Sequence, residues 1–473
     1  MMKELRDIVG AKNVLDDEQT LALYSTDQTL NPQKKPFAVV KPKNTAEVQK
    51  LVQWANTTLT PLVPASSGVH FTGGTLPAQG GVIVDLSRMN KILEIDPLNR
   101  KAKIEPGVTW QQLNEALKEH DQMALNPLFP HPQASALTSS VEREPMLIPK
   151  YEYAEPALTM EVVLPTGDLF VTGSASDAHC EGAYPEGPGI DFWRLFLGAQ
   201  GTMGIITWLN VKTEYRPKNQ KAFFMGFDCL EDCADPIYKM QRRHLGNECF
   251  VLSRFMMAQL LADDPKDFGK LMADLPNYTL VLVLAGAPRR PLERIAYEEE
   301  ALMEIAADFQ LQPGKTVGGI AGLESTMLNK LRNLSEGDHW KTRFASSSQE
   351  IFFITTMDKA ARYEDMAMGY AATYGLNINE VGVYMQPLER GRACHLQFSF
   401  PCELEDESER ENIGSLVVEL SKQLIDEGAF FTRPYGPWAD MVYRRSSSYT
   451  AMLKELKKIY DPNGIMNPGK LCF

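Results

Sequence analysis

No apolar run in these 473 residues reaches the roughly 18 positions that a bilayer-spanning helix requires. Basic charge is also scarce: 48 Lys and Arg face 61 Asp and Glu, a net charge of −13. Nucleic-acid binders carry a basic patch and anionic membranes attract polybasic segments, so both partners are expected to be absent. The opening MMKELRDIVGAKNV has no long hydrophobic stretch behind its charges, and no signal peptide is expected. The seven cysteines, Cys180, Cys229, Cys233, Cys249, Cys394, Cys402 and Cys472, form no CxxC pair. Cys229 and Cys233 have the spacing to share a helix face, but nothing nearby completes a metal set. Scattered, odd-numbered thiols point to a reduced, cytoplasmic protein with no iron–sulfur cluster of its own. Two nucleotide signatures are missing as well. There is no GxxxxGK[ST], and no GxGxxG opens a helix in a βαβ unit.

What remains is an ordinary globular composition, 44% apolar and 23% charged, in a chain long enough for two cores. The first half alternates strand and helix. FAVVKPK (37–43) reads as a strand. Asn44 with Glu47 reads as a capping box for TAEVQKLVQWANTT, and Thr109 with Gln112 caps TWQQLNEALKEH. PLVPA, GVIVDLS (81–87) and KAKIEPG (101–107) are further strands, 157–170 is two strands around a Pro-Thr-Gly turn, and 201–215 is a glycine turn feeding a long strand. At RPKNQKA, near 216, the texture shifts to long helices mixed with short strands such as YTLVLVLAGA and HLQFSF. Three segments are expected: 1–215, 216–428, and a tail, 429–473, too short to fold alone and returning onto one of the others.

The loop 63-VPASSGVHFTGG-74 has the composition of an anion cradle. Successive backbone N–H groups bind phosphate without a helix, and Ser66, Ser67 and Gly68 keep bulk out of the way. The plain alternative is a strand-to-strand loop. The wider order decides between them: VPASSGVHFTGG, then GGVIVDLSRMNKILEIDPLNRKAKIEPGVTWQQL, TMEVVLPTGDL, RLFLGAQGTMGIIT and YDPNGIMNPGK. From about residue 36 to the C-terminus this resembles the FAD-linked oxidases of the vanillyl-alcohol oxidase/p-cresol methylhydroxylase type, which include glycolate and D-lactate dehydrogenases. The resemblance implies an α+β fold: a two-lobed FAD-binding domain of the p-cresol methylhydroxylase (PCMH) type, an α+β cap (substrate) domain, and FAD as cofactor. It assigns Ser66, Ser67, Gly68, Val69, His70 and Gly73 to the pyrophosphate loop, Thr138 and Ser139 to the second contact, and Gly201, Gly204 and Ile206 to the third. Relatives have an Arg and more glycines where this chain has Ala65-Ser66-Ser67. Glu142-Arg143-Glu144 is unexpected so near a flavin, with Arg143 either paired on the surface or close to the cofactor. The attachment position of the covalent relatives falls on Val69, one before His70, so His70 is expected to be a hydrogen-bonding loop residue, with a covalent flavin there as the alternative.

A flavin takes hydride while the protein orients the substrate and handles its proton. The stretches 384-YMQPLERGRACHLQFSF-400 and 431-FTRPYGPWADMVYRR-445 are dense in suitable groups. Lactate and glycolate relatives hold a metal through G-H-x-G-D-G-N-x-H. Here His395 takes the second His position but Leu388 stands at the first, and no catalytic metal is expected. Arg433 matches an Arg of the phenol- and aryl-alcohol-oxidising members. Tyr384, Tyr435 and Trp438 suit an aromatic wall, and Arg392 or Arg433 an anion. Core packing and internal ion pairs are the plain alternatives, and His395 is either a core histidine or a base. The resulting expectation is an FAD-dependent dehydrogenase or oxidase. Its substrate is a small hydroxylated compound, an aryl alcohol or phenol or a hydroxy acid, and electrons pass to oxygen or to a separate iron–sulfur or electron-transfer protein. The alternative is a non-catalytic electron-transfer or scaffold subunit. A homo-oligomer is compatible with either.

Overall fold

The computed structural model describes residues 1–473 apart from 31–33, 68, 70, 71, 148–154, 287 and 335–338. Two small sheets form in the N-terminal half. The first contains β1 (Val14–Leu15), β2 (Ala38–Val40), β3 (Leu62–Ala65) and β4 (Val82–Asp85) in the order β1-β2-β4-β3, with β2 and β3 both parallel to β4. The crossover from β2 to β3 is the helix Thr45–Thr58, which buries Val48, Leu51, Val52 and Ala55 on one face. Asn44 caps it by accepting the Glu47 N–H at 2.9 Å. Glu47 reaches back to the N–H of Lys43 rather than that of Asn44.

The second sheet holds β5 (Ile92–Asp96), β6 (Lys101–Ile104), β7 (Gln122–Ala124), β8 (Ala157–Val163), β9 (Leu169–Val171) and β10 (Ile205–Tyr215). Its order is β5-β6-β10-β8-β9, and β7 pairs with the far end of β10. The helix Trp110–Lys118 packs on it through Trp110, Leu113 and Leu117, and its Thr109–Gln112 capping box is complete.

The third sheet is antiparallel: β11 (Gln220–Phe227), β12 (Glu248–Ser253), β13 (Tyr278–Ala285), β14 (Ser347–Thr355), β15 (Gly382–Leu388) and β16 (Ala393–Cys402), ordered β11-β13-β12-β15-β16-β14. One core packs it against the helices Glu231–Arg242, Pro291–Asp308, Ala360–Thr373 and Glu407–Asp426. The other core contains Phe224, Phe250, Leu252 and Tyr384 of the sheet together with Leu128, Phe129 and Leu147 from the N-terminal half. That shared core seats the third sheet over the region following β7.

The C-terminal segment returns to the first sheet. Leu62 of β3 donates to the Ile465 carbonyl at 2.7 Å and accepts from the Asn467 N–H at 2.9 Å. Lys457 is buried, yet it donates to Thr202 O, Met466 O and Asp461 Oδ2 at 2.6, 3.0 and 2.7 Å. An ammonium out of water is tolerated only with its donors satisfied in this way.

Candidate active site

The loop 66–81 leaves the carboxyl end of β3, next to parallel β4, the edge where open α/β sheets bind ligands. Two adjoining cavities lie there. The smaller, about 120 Å³, is lined by Pro64, Ala65, Ser66, Thr72, Gly74, Thr138, Gly201, Gly204, Ile205 and Ile206 among others. The larger, about 840 Å³, is lined by Ser67, Val69, Thr138 and Ser139 on one side and Phe352, Tyr384, His395, Arg433, Tyr435 and Trp438 on another. Thr72, Thr138, Glu142 and Tyr435 line both. Ligand cavities run from ~300 to ~1,000 Å³, so the pair suits one long ligand plus a small one.

Backbone geometry shapes the smaller cavity. Gly201 has φ +71°, and a Cβ there would stand 2.3 Å from Pro64 Cγ. Gly204, at φ +151°, would meet Val162 Cγ1 at 2.6 Å. Both positions require glycine. Gly73 lines neither cavity but is gripped from both sides: its N–H donates to Asp27 Oδ2 at 2.8 Å and its carbonyl accepts from Lys470 Nζ at 2.8 Å. Asn467, wholly buried, donates to the carbonyls of Gly74 and Gln200 and so ties the two glycine-bearing turns together. Gly68 and His70 lie outside the described residues.

The larger cavity is walled by the third sheet. Register places Phe352 opposite Gln397, and Gln397 opposite Tyr384, in one row across β14, β16 and β15. Directly opposed residues share a face, so all three meet the cavity. His395, 3% exposed, lies 5.2 Å from the Tyr384 ring, centroid to centroid. Gln397 donates to Ser399 Oγ at 3.1 Å, which turns its Oε1 toward His395 Nε2 at 3.4 Å. The imidazole proton is therefore assigned to Nε2, leaving Nδ1 as the acceptor. Burial first, and the Arg433 charge second, pull the His395 pKa down to about 3. The ring is thus held neutral, with Nδ1 available as a hydrogen-bond acceptor.

Arg433 is 8% exposed, with its guanidinium 4.1 Å over the Phe352 ring. Among the described residues no hydrogen bond or ion pair engages it. Tyr435 donates to Glu142 Oε2 at 2.7 Å, and the Gln200 N–H donates to Glu142 Oε1 at 3.2 Å. Burial raises the Glu142 pKa, opposed by the Tyr435 hydroxyl, the Arg433 charge and the Gln200 N–H. Tyr384 donates to Gln386, and burial holds both the Tyr384 and Tyr435 phenols well above their ordinary range.

Arg392 is not brought to this group. It is exposed at the turn between β15 and β16 and lines neither cavity. Arg143 pairs with Glu155 at 3.2 Å and is partly exposed, so it takes the surface role. The residues that the sequence did not single out are Glu142 as a cavity carboxylate, Thr72, Gln200 and Phe352. Only the odd Glu-Arg-Glu so close to the second loop hinted at the first. Among the described residues no group of three or more His, Cys, Asp or Glu is placed to hold a metal, and no helix is long and apolar enough to cross a membrane.

His395 carries a pH prediction. Between pH 6.5, its ordinary value, and about 3, the unfolded chain binds a proton at this ring that the folded chain does not. Stability contributed by neutral His395 is present above that window and is lost as pH falls through it. His395→Gln should therefore show a smaller loss of denaturant midpoint between pH 7 and pH 4 than the unaltered protein. Equal losses would mean that the ring is not buried as neutral imidazole.

Comparison with known proteins agrees with this geometry. Residues 36–173 match the FAD binding domain family and residues 439–471 the C-terminal domain of FAD linked oxidases. The glycolate oxidase subunit GlcD of Bacillus subtilis is 24% identical, over 99% of this chain and 96% of its own length. The D-2-hydroxyglutarate dehydrogenase of Stutzerimonas stutzeri is 25% identical, over 100% and 98%. In fold, p-cresol methylhydroxylase with substrate bound superposes with a TM-score of 0.86 at 20% identity, over 100% of this chain and 96% of that one. FAD fits what the chain presents: two adjoining cavities, a serine- and glycine-bearing loop at the carboxyl end of β3, and glycines that admit no Cβ. The chain carries an FAD binding domain and the C-terminal domain of FAD linked oxidases, has the fold of the PCMH-type FAD-binding proteins, and is an FAD-dependent dehydrogenase or oxidase.

Proposed function

We propose that this enzyme oxidises a small phenol or aryl alcohol whose ring lies in the larger cavity with its ionised hydroxyl on Arg433. The observation that carries the reading is a buried guanidinium with no protein partner among the described residues, set in a wall of Phe352, Tyr384, Tyr435 and Trp438. An arginine out of water needs an anion, and an aromatic wall favours a flat ring. The hydroxy acids in the names of the curated relatives would also offer Arg433 a carboxylate. The wall, and Leu388 standing where those relatives' first metal ligand would be, weigh toward the phenol.

FAD, when bound, supplies the hydride acceptor. Ser66, Ser67, Val69, Thr72, Thr138, Gly201, Gly204 and Ile206 are the residues proposed to hold it, in a domain of residues 1–215. Residues 216–428 serve as the cap and 429–473 as the return segment. Arg433 favours phenolate over phenol, whose ordinary pKa is about 10. His395 offers a neutral ring as hydrogen-bond acceptor, Tyr384 and Gln386 fix one edge of the cavity, and Phe352 and Trp438 keep water out. Electrons then leave to oxygen or to a separate protein. The seven free cysteines suit a reducing cytoplasm. The test is steady-state selectivity. 4-Hydroxybenzyl alcohol should exceed benzyl alcohol by ~10,000-fold in kcat/KM, the scale on which sites built around a substrate hydroxyl reject its deletion. D-Lactate preferred over both would overturn the reading.

A further inference from the structure

Among the described residues Glu142 is the one acidic side chain lining both cavities, and it makes no ion pair with Arg433, which lines the larger cavity with it. Both of its oxygens accept: Oε2 from the Tyr435 hydroxyl and Oε1 from the Gln200 N–H. Two donors converging on two oxygens satisfy an ionised carboxylate, a form that the Arg433 charge also favours against the cost of burial. Gln200 fastens the arrangement. Its backbone is left-handed at φ +50°, its side chain donates to the Pro434 carbonyl at 3.2 Å, and its own carbonyl is held by Asn467. A ring results, Gln200 to Glu142 to Tyr435 to Pro434 and back, which fixes the segment carrying Arg433. The arginine is close enough for its charge to act on Glu142, on Tyr435 and on His395. Among the described residues no partner takes its N–H groups.

We propose that Glu142 is a positioning residue and counter-charge: it anchors the 433–435 segment through Tyr435 and limits how strongly Arg433 draws its ligand into the anionic form. The idea rests on the phenol reading above. A negative charge in a low-dielectric site opposes a second anion near the same cation, so Glu142 keeps Arg433 available without letting it trap phenolate products. Removing the charge while keeping the shape should make Arg433 more ionising.

Glu142→Gln does so conservatively. The amide oxygen can accept from Gln200, and its NH2 can donate to a Tyr435 hydroxyl that turns round. The probe is 4-nitrophenol, which has no alkyl hydrogen to lose and whose phenolate is visible by difference against the flavin-loaded protein. Ionisation of the bound probe is titrated with pH in the unaltered protein, in Glu142→Gln and in Tyr435→Phe, each with its flavin content confirmed. In Glu142→Gln the midpoint should fall by about one pH unit, raising the phenolate-to-phenol ratio ~10-fold at the unaltered protein's midpoint. Tyr435→Phe, which keeps both charges, should leave the midpoint in place. A bound probe with the same midpoint in Glu142→Gln overturns the counter-charge role and leaves the phenol reading standing. An equal shift in Tyr435→Phe overturns it too, assigning the effect to the hydrogen bond. Failure of the unaltered protein to bind the probe at all overturns the phenol reading, and the inference with it.

Discussion

Arg433→Ala is expected to lower kcat/KM for 4-hydroxybenzyl alcohol by about 100- to 5,000-fold, in line with the ~3–5 kcal/mol lost when one partner of a buried ionic contact is deleted. The size follows from where the side chain sits. It is buried, stacked on Phe352, and not already neutralised by an ion pair among the described residues, so its whole hydrogen-bonding capacity is available to a ligand. Arg433→Lys should recover only part of the loss, because an ammonium cannot present two parallel N–H groups. The flavin-to-protein ratio reads the cradle rather than the substrate end, and should match the unaltered protein in both variants. Steady-state kinetics and the visible spectrum measure the two effects separately. Turnover within threefold of the unaltered protein would remove Arg433 from the substrate site.

The second large effect belongs to Gly201. An alanine there is strained twice over. Its backbone would hold a side chain at φ +71°, at a cost of about 1–3 kcal/mol. Its Cβ would lie 2.3 Å from Pro64 Cγ and 2.9 Å from Pro64 Cδ. Pro64 is the next-to-last residue of β3, so relief must displace the strand end from which the 66–74 loop departs. Gly201→Ala should therefore be purified with at least ~10-fold less FAD than the unaltered protein, and fluorescence titration should give a correspondingly weaker Kd. Gly74→Ala is the contrast. Its Cβ would meet only ordinary contacts, the nearest being Tyr435 at 3.6 Å, so FAD should be retained. Equal FAD content in the two variants would contradict the steric account of the cradle.

How far this was legible in the sequence varies with the range of the interaction. Caps and strands are local, and both the Asn44 and Thr109 caps and the strand at 205–215 were readable from residues a few positions apart. The glycine turn at 198–204 was readable too, because a positive φ leaves a compositional mark. Cross-chain geometry leaves no such mark. Arg392 and Arg433 were equally attractive as a pair of arginines in dense polar stretches. What separates them is a hairpin turn that exposes the first and a returning segment that buries the second. Phe352 looked like any strand phenylalanine until register placed it in the row with Gln397 and Tyr384. Glu142 was visible only as an anomaly. Its partners are 58 and 293 residues away, and no spacing rule connects them. His395 was singled out correctly as a cavity residue, but its neutral state depends on burial and on Arg433, which the strand pattern does not encode.

The most direct test of the account is flavin reduction without oxygen, because it bypasses the electron acceptor. The purified flavoprotein is mixed anaerobically with 4-hydroxybenzyl alcohol and, in parallel, with D-lactate and glycolate, while the oxidised flavin band is followed. The account predicts complete bleaching by the phenol within a single turnover, and no more than slow, partial change with either hydroxy acid. Rapid bleaching by a hydroxy acid with the phenol inert would contradict it, and would give Arg433 a carboxylate as its ligand instead.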